Sequence, residues 1–191
     1  INAASSMDGI RQETEAATIL GTRDLLVAAE QAGVRRFIHI SSIGIYTARK
    51  LSPGETITED FPLEKNPRFA GDYVTSKIAS EKAALDFAGR GKMNVIALRP
   101  GILYGRRGGW SLPRTGYAFG KNLYVLTGSA RNLLPVCYVE NCADAALLAL
   151  EKSEVTGGVF NIVDDEPVTP AEFMGRLKSE AFPKLRIVRA P

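Results

Sequence analysis

Three times in this chain a lysine follows a tyrosine at the fourth residue: Tyr46 and Lys50, Tyr73 and Lys77, Tyr117 and Lys121. On a helix that spacing puts both side chains on one face. A free phenol, with a reference pKa of about 10, is a poor base near neutral pH. A neighbouring ammonium favours the phenolate, so a tyrosine paired this way can take a proton from a hydroxyl while hydride leaves the same carbon. Ser42, at the end of the run Arg36-Phe37-Ile38-His39-Ile40-Ser41-Ser42, is placed to hydrogen-bond the oxygen in flight. The plain alternatives are an amphipathic surface pair and a serine that caps a strand end.

Context separates the three pairs. Tyr46 lies just past the apolar run, in a segment that reaches Pro53 before any helical period develops. Gly116 and Gly120 surround the Tyr117 pair and are poor material for a helix interior. After Tyr73 the residues Val74, Ile78, Ala79, Leu85, Phe87 and Ala88 recur with helical period and stop at Gly89 and Gly91. The middle pair is therefore the candidate.

The elements that must carry these residues read as an alternation of helix and strand. Asp8 to Ala32 is expected as a helix with Ala17, Leu20, Gly21, Leu25, Ala28 and Ala32 on one face, capped by Gly33. The strand Arg36–Ser41 follows, buried and parallel in character. A long irregular stretch punctuated by Pro53, Gly54, Pro62, Pro67 and Gly71 leads to a helix from about Asp72 to Gly89, then a strand Asn94–Arg99. Such alternation predicts a parallel sheet covered by helices, with ligands at the carboxyl ends of its strands. Residues 105–132 are expected as loops and short helices with scattered Trp110, Tyr117, Phe119 and Tyr124. Leu133–Val139 reads as a strand, Asn141 with Asp144 as a helix cap, Gly158–Val163 as a strand, and Thr169-Pro170-Ala171-Glu172 as a capping box.

Composition bounds the function. A chain of 191 residues, 45% apolar and 24% charged with a net charge of +3, is an ordinary globular domain in size and balance. No basic run interleaved with aromatics points to nucleic acid, and no apolar run is long enough to span a bilayer. Cys137, Cys142 and the single His39 make neither a metal-ligand pattern nor a disulfide framework, so no metal is expected and a reduced, cytoplasmic setting fits. His39 reads as a core or second-layer histidine, the cysteines as small core residues, and Asp164 and Asp165 as turn formers. The start at Ile1 without methionine, and the stop on Arg186–Pro191, read as the ends of a fragment.

The segments GTRDLLVAAEQAGVRRFIHISSIGIY, YVTSKIASEKAAL, VIALRPGILYG, LPVCYVENCADAALLALE and GGVFNIVDDEPVT resemble, in order and spacing, the extended short-chain dehydrogenase/reductases, the group of NAD-dependent epimerases and dehydratases. The resemblance implies an α/β fold: the C-terminal part of a Rossmann-like parallel sheet with a small substrate-binding α+β region. Residues 1–104 would form the second half of the dinucleotide-binding domain, and 105–191 mostly the substrate region, with strands returning to the sheet. It implies Tyr73 as catalytic acid/base, Lys77 as its partner and ribose contact, and Ser42 as the group orienting the substrate oxygen. Asn2, Ala3, Ala4 and Ser41, with Pro100, Gly101 and Ile102, would line NAD or NADP. Tyr46 and Arg131 are the substrate-side candidates. The family's glycine-rich pyrophosphate turn is absent from these residues. Thr18 stands where the family commonly has asparagine.

What this implies is an enzyme acting on a hydroxyl or keto carbon of a small molecule, a nucleotide sugar or similar. The other readings are a hydroxysteroid- or flavonoid-like ketone as substrate, and a non-catalytic dinucleotide sensor, against which the intact Ser42, Tyr73 and Lys77 argue. Solvated arginines are the expectation for Arg99, Arg106 and Arg107. Family members often pair through two long helices, here those starting near Asp8 and Asp72, into a homodimer.

Overall fold

The structure, a computed structural model of the 191-residue chain, describes residues 1–5, 15–47, 50–52, 55–89, 93–106, 115–128 and 132–190; at 15, 16, 67, 68 and 70 it describes the backbone alone. Two compact units emerge, one formed by Ile1–Pro100 with Ala143–Ile162, the other by Gly101–Cys142 with Val163–Pro191.

In the first unit a π-helical stretch (Glu15–Leu20) runs into helix α1 (Gly21–Gln31). Strand β1 (Arg36–Ile40) follows, then helix α2 (Pro67–Ala88) and strand β2 (Asn94–Pro100). Helix α3 (Val139–Glu151) begins in the other unit and enters this one at Ala143; it precedes β7 (Gly158–Ile162). The sheet order is β1-β2-β7, all parallel, and Asn2 adds a parallel bridge to His39 on the free side of β1. The paired residues Phe37 with Val95 and His39 with Ala97 set the register. Strands covered on both faces must be apolar nearly throughout. One face packs Phe37 and Val95 against Leu26 of α1 and Ala84 of α2. The other packs Ile38, Ile96 and Leu98 against Ala146 and Ala149 of α3.

α1 ends in a Schellman motif: Val34 N donates to Ala29 O and Gly33 N to Glu30 O, with Gly33 at φ 72°. The expected apolar face of this helix is not the buried one. Thr18, Thr22 and Leu26 face inward, while Leu20 is 53% exposed and Leu25 and Val27 are also exposed. The π-helical stretch carries more residues per turn and shifts the phase. The threonines are tolerated inside because Thr22 Oγ1 donates to Thr18 O and accepts from Asn2 Nδ2. α2 is two helices joined at Gly71, whose φ of 65° and ψ of 169° are not helical, so the long helix starts at Asp72 as its spacing predicts.

The second unit holds a parallel pair, β3 (Ile102–Tyr104) with β6 (Val136–Tyr138). Its other sheet, of order β4-β5-β8, contains β4 (Gly116–Phe119), β5 (Leu123–Leu126) and β8 (Arg186–Arg189). Helix α4 (Pro170–Glu180) covers that sheet with Met174 against Tyr124, Leu126 and Leu185, and it opens with the expected Thr169/Glu172 capping box. Two expectations fail here. The described part of residues 105–132 is a hairpin, not short helices: its strands have four residues each, too few for a period of two to show. A Cβ on Gly116 would lie 2.1 Å from Val125 O, so that glycine marks close strand approach. Asn141 does not cap α3, which begins two residues earlier. The Asn141 side chain instead donates from Nδ2 to the Asp164 carboxylate at 2.9 Å, and that carboxylate also accepts from Tyr138 N, just before the helix, at 3.0 and 3.1 Å.

A Cβ at Gly33 would meet nothing within 4 Å, so replacing it tests backbone conformation alone. Gly33→Ala is expected to destabilise the fold by about 1 kcal/mol through the left-handed φ, and Gly33→Asn by less; urea unfolding midpoints measure both.

Candidate active site

α2 is amphipathic in an unusual way. Among its described residues Val74, Ser76, Lys77, Ser80, Glu81 and Ala84 are buried, yet four of the six are polar. The run reflects direction: Ala84 packs with Phe37 and Val95 near the start of the strands, whereas Lys77 reaches the carboxyl end of β1. That is the edge where an open parallel sheet binds ligands.

Lys77 is 3% exposed, and its Nζ donates to the Ile40 carbonyl at 2.9 Å. The strand ending explains why that carbonyl is free. Asn2 N donates to Ile38 O and Asn2 O accepts from Ile40 N, so the next donor in the parallel ladder would be the amide of Ala4. That amide turns back to Asn2 Oδ1 at 3.1 Å, and Lys77 takes the carbonyl. Burial lowers the Lys77 ammonium to a pKa of about 8, against the opposing pull of Glu81.

Tyr73 lies one turn before Lys77, partly exposed, two residues past the Gly71 break. Among the three tyrosine–lysine spacings only this one is helical. Tyr46 is extended at the end of a 3-10 turn, and Tyr117, 66% exposed, sits on β4 with Lys121 in the hairpin turn. Ser42 does act as a cap: its Oγ accepts from Gly44 N at 3.0 Å. Accepting leaves its own O–H available to donate to a ligand oxygen. Ser41 Oγ is buried without a hydrogen-bond partner among the described residues, one position past the carbonyl that holds Lys77. An orphaned hydroxyl at this edge suits a polar ligand group such as a ribose hydroxyl, so Ser41 and Lys77 fit the nicotinamide-ribose half of a dinucleotide.

Other residues expected around a cofactor or substrate are placed differently. Asn2 is buried with its side chain spent on Thr22 and Ala4, while Ala3 and Ala4 are exposed beside it. Pro100 is buried at the end of β2. Gly101 and Ile102 belong to the second unit, where Ile102 N donates to Pro135 O and a Cβ on Gly101 would lie 2.2 Å from that oxygen. Arg131, Arg107 and Trp110 lie outside the described residues. Tyr46 is 5% exposed, and its phenol bonds Asn161 Oδ1 at 2.7 Å and accepts from Arg99 Nη1 at 2.6 Å.

Arg99 is not the solvated arginine that its type suggests. It is 4% exposed and grips the Glu81 carboxylate twice, Nε to Oε2 at 3.0 Å and Nη2 to Oε1 at 2.6 Å. Nη1 also donates to Glu59 O, and the guanidinium carbon lies 4.9 Å from the Tyr46 ring centre. Nothing in the spacing of Arg99 and Glu81 reveals this pair; only a charged residue inside an apolar strand hints at it. In the second unit, Asp164 is likewise more than a turn former. Burial would raise it, but the Tyr138 amide, Asn141 and the Tyr104 hydroxyl hold it below the usual carboxylate range. Cys137 is a core residue whose thiol burial pushes up to about 12, and both cysteines are reduced.

His39 is buried in β1 with Ser80 Oγ 3.4 Å from Nε2, while the same hydroxyl donates to Lys77 O. A neutral imidazole protonated at Nε2 satisfies that geometry. Burial first, then the charge of Lys77, lower its pKa from 6.5 to about 4, with Glu81 opposing. The folded chain therefore binds this proton less readily than the unfolded chain. The resulting stability is complete above pH 6.5 and is lost as pH falls towards about 4. Unfolding free energies from urea titrations should fall across that window by up to roughly 1.4 kcal/mol per pH unit, a slope that His39→Gln should flatten.

Residues 3–163 match the model of the NAD dependent epimerase/dehydratase family. Human sterol-4-alpha-carboxylate 3-dehydrogenase, decarboxylating, is 32% identical over 168 residues, covering 83% of this chain and 43% of that protein. A 4-hydroxy-2-methyl-3-oxo-4-farnesyl-3,4-dihydroquinoline-1-oxide ketoreductase of Stigmatella aurantiaca is 30% identical over 162 residues, 85% of this chain and 47% of its own. The chain spans about half the length of the curated relatives it matches. Among solved structures, the UDP-Glc/GlcNAc 4-epimerase of Campylobacter jejuni superposes with a TM-score of 0.80 at 18% identity, over 98% of this chain and 63% of that one. A short-chain dehydrogenase/reductase superfamily protein from Agrobacterium tumefaciens, with bound NAD, gives 0.76 at 23%, over 97% and 65%. With a parallel sheet of this order and a family match over most of its length, the chain belongs to the NAD-dependent epimerase/dehydratase family of the extended short-chain dehydrogenase/reductases.

Proposed function

We propose that this chain carries the proton-transfer half of an NAD(P)-dependent enzyme that oxidises a secondary hydroxyl or reduces the corresponding ketone. The observation that carries the reading is Lys77 Nζ on the Ile40 carbonyl at the ligand-binding edge, with Tyr73 one turn earlier and the unpartnered Ser41 hydroxyl beside it. Tyr73 exchanges the proton of the substrate hydroxyl. Lys77 holds positive charge near that phenol and offers its remaining protons to ribose hydroxyls. Ser42 donates to the substrate oxygen. NAD(P), held there, would supply the hydride acceptor or donor. The pyrophosphate-binding turn is not among these residues, so dinucleotide affinity belongs to the complete protein.

The substrate we infer is an apolar ring alcohol or ketone of the sterol or quinoline kind. What supports it is the naming of relatives near 30% identity: the sterol dehydrogenases, the ketoreductase and a 3-beta-hydroxysteroid dehydrogenase. A nucleotide sugar is the second reading, favoured by neighbours such as MoeE5 with UDP-glucose and NAD, whose 23% identity supports the fold alone. A homodimer through α1 and the helix from Asp72 is part of the proposal, consistent with the exposed Leu20, Leu25 and Val27. Among the described residues no helix is long and apolar enough to cross a membrane.

In the complete protein, Tyr73→Phe is expected to keep the fold and dinucleotide affinity and to lose about 100-fold or more in turnover. Lys77→Met should weaken both turnover and dinucleotide binding. Tyr117→Phe, on an exposed hairpin, serves as the control; Tyr46→Phe does not, because it strips a partner from buried Arg99. Steady-state rates with a 3-hydroxysteroid and with UDP-glucose, alongside a cofactor titration, read these effects. Parent-like turnover by Tyr73→Phe overturns the assignment.

A further inference from the structure

Lysine at one position and glutamate four residues later form a favourable helical ion pair, and two buried charges have every reason to meet. Lys77 and Glu81 do not. The ammonium donates to a neutral carbonyl, Ile40 O, while both Glu81 oxygens are held by Arg99 at 3.0 and 2.6 Å. Arg99 is itself fixed from three sides: the Tyr46 hydroxyl at 2.6 Å, the Glu59 carbonyl at 3.0 Å and the Tyr46 ring. A guanidinium with its planar fork can occupy a carboxylate in this bidentate way, where an ammonium cannot.

We propose that Arg99 and Glu81 are positioning residues for Lys77: by occupying the Glu81 carboxylate, Arg99 leaves the Lys77 ammonium directed at Ile40 O and the carboxyl edge of the sheet. The inference deepens the proposed function, resting on the reading of Lys77 as the partner of Tyr73. The ionisable groups around Lys77 are Glu81 and, one turn back, Tyr73 on its own helix, His39 on β1, and Arg99 on β2 with Tyr46 behind it. His39 is neutral above about pH 4, so the local balance near neutrality is set by Lys77, Glu81 and Arg99. Removing Arg99 frees a buried carboxylate one turn from the ammonium and should draw Lys77 inward. Removing the Glu81 charge leaves two cations together and should expel the Lys77 proton sooner.

The test reads Lys77 without turnover, in the complete protein free of cofactor and substrate. Lysine labelled with 13C at the ε carbon is titrated by NMR, and the Lys77 signal is identified by its loss in Lys77→Arg. The parent midpoint is expected near about 8. Glu81→Gln should lower it, and Arg99→Met raise it, each by about one pH unit or more. The Arg99→Met/Glu81→Gln double variant should return to within about half a unit of the parent. If Arg99→Met does not fold, Glu81→Gln and the double variant, which buries no net charge at the pair, carry the comparison. Equal midpoints in parent and Glu81→Gln, or a double variant no higher than Glu81→Gln, overturn the proposal. Failure of the proposed function would instead show as undiminished turnover of Tyr73→Phe, a result that leaves the titration as it stands.

Discussion

The buried Arg99–Glu81 ion pair is the constraint on which the first unit depends. Two charges inside a sheet–helix interface are tolerated only when each lone pair and proton has a partner, and meeting that demand fixes most of the neighbourhood. Arg99 reaches Glu81 on α2, the Tyr46 phenol after β1, and the carbonyl of Glu59 in the irregular stretch. Asn161 on β7 closes the set, accepting from Tyr46 and donating its amide to the Glu59 carboxylate. A stretch with little regular structure of its own is thereby held against two strands. Losing one member of such a buried pair costs about 3–5 kcal/mol, because the partner is left charged and unpaired.

Along the same face the sheet changes character from end to end. Phe37, Val95, Met93, Ala84 and Leu26 form an apolar cluster at the strand starts. His39, Ser41, Arg99, Lys77, Ser80 and Glu81 crowd the strand ends. The apolar end supplies the burial that makes the helix dock. The polar end then sits at a depth where each hydrogen bond counts for more than it would in water. The apolar and the polar clusters are separated by about two turns of α2 rather than by separate elements.

Much of this was legible in the residues. The α/β class, the parallel strands, the Gly33 cap, the helix start at Asp72 and the Thr169/Glu172 capping box all follow from local rules that the structure obeys. What escaped was set by tertiary partners. The inward face of α1 and the turn before it carries Thr22, whose hydroxyl is satisfied by Asn2 and by the Thr18 carbonyl, and Thr18 itself. Arg99 and Glu81 are far apart in sequence, and nothing in either segment announces the other. Asp164 holds the Tyr138 amide and the Asn141 side chain at the start of α3 from beyond a strand's far end, which no reading confined to residues 139–144 could find. Four-residue strands such as β4 and β5 are too short for their period to stand out.

Lys77 is anchored by main chain. Asn2 ends the ladder by drawing the Ala4 amide onto its own side chain, and the carbonyl thus released is one that every amino acid possesses. Position 40 is consequently free to vary among residues that satisfy the core beneath it, without moving the ammonium. The determinants of the lysine's placement lie in strand length and in a small polar residue on the neighbouring chain segment. A substitution scan centred on Tyr73 and Lys77 would pass over them, whereas a single-residue insertion in β1 would move the acceptor carbonyl out of reach of the ammonium.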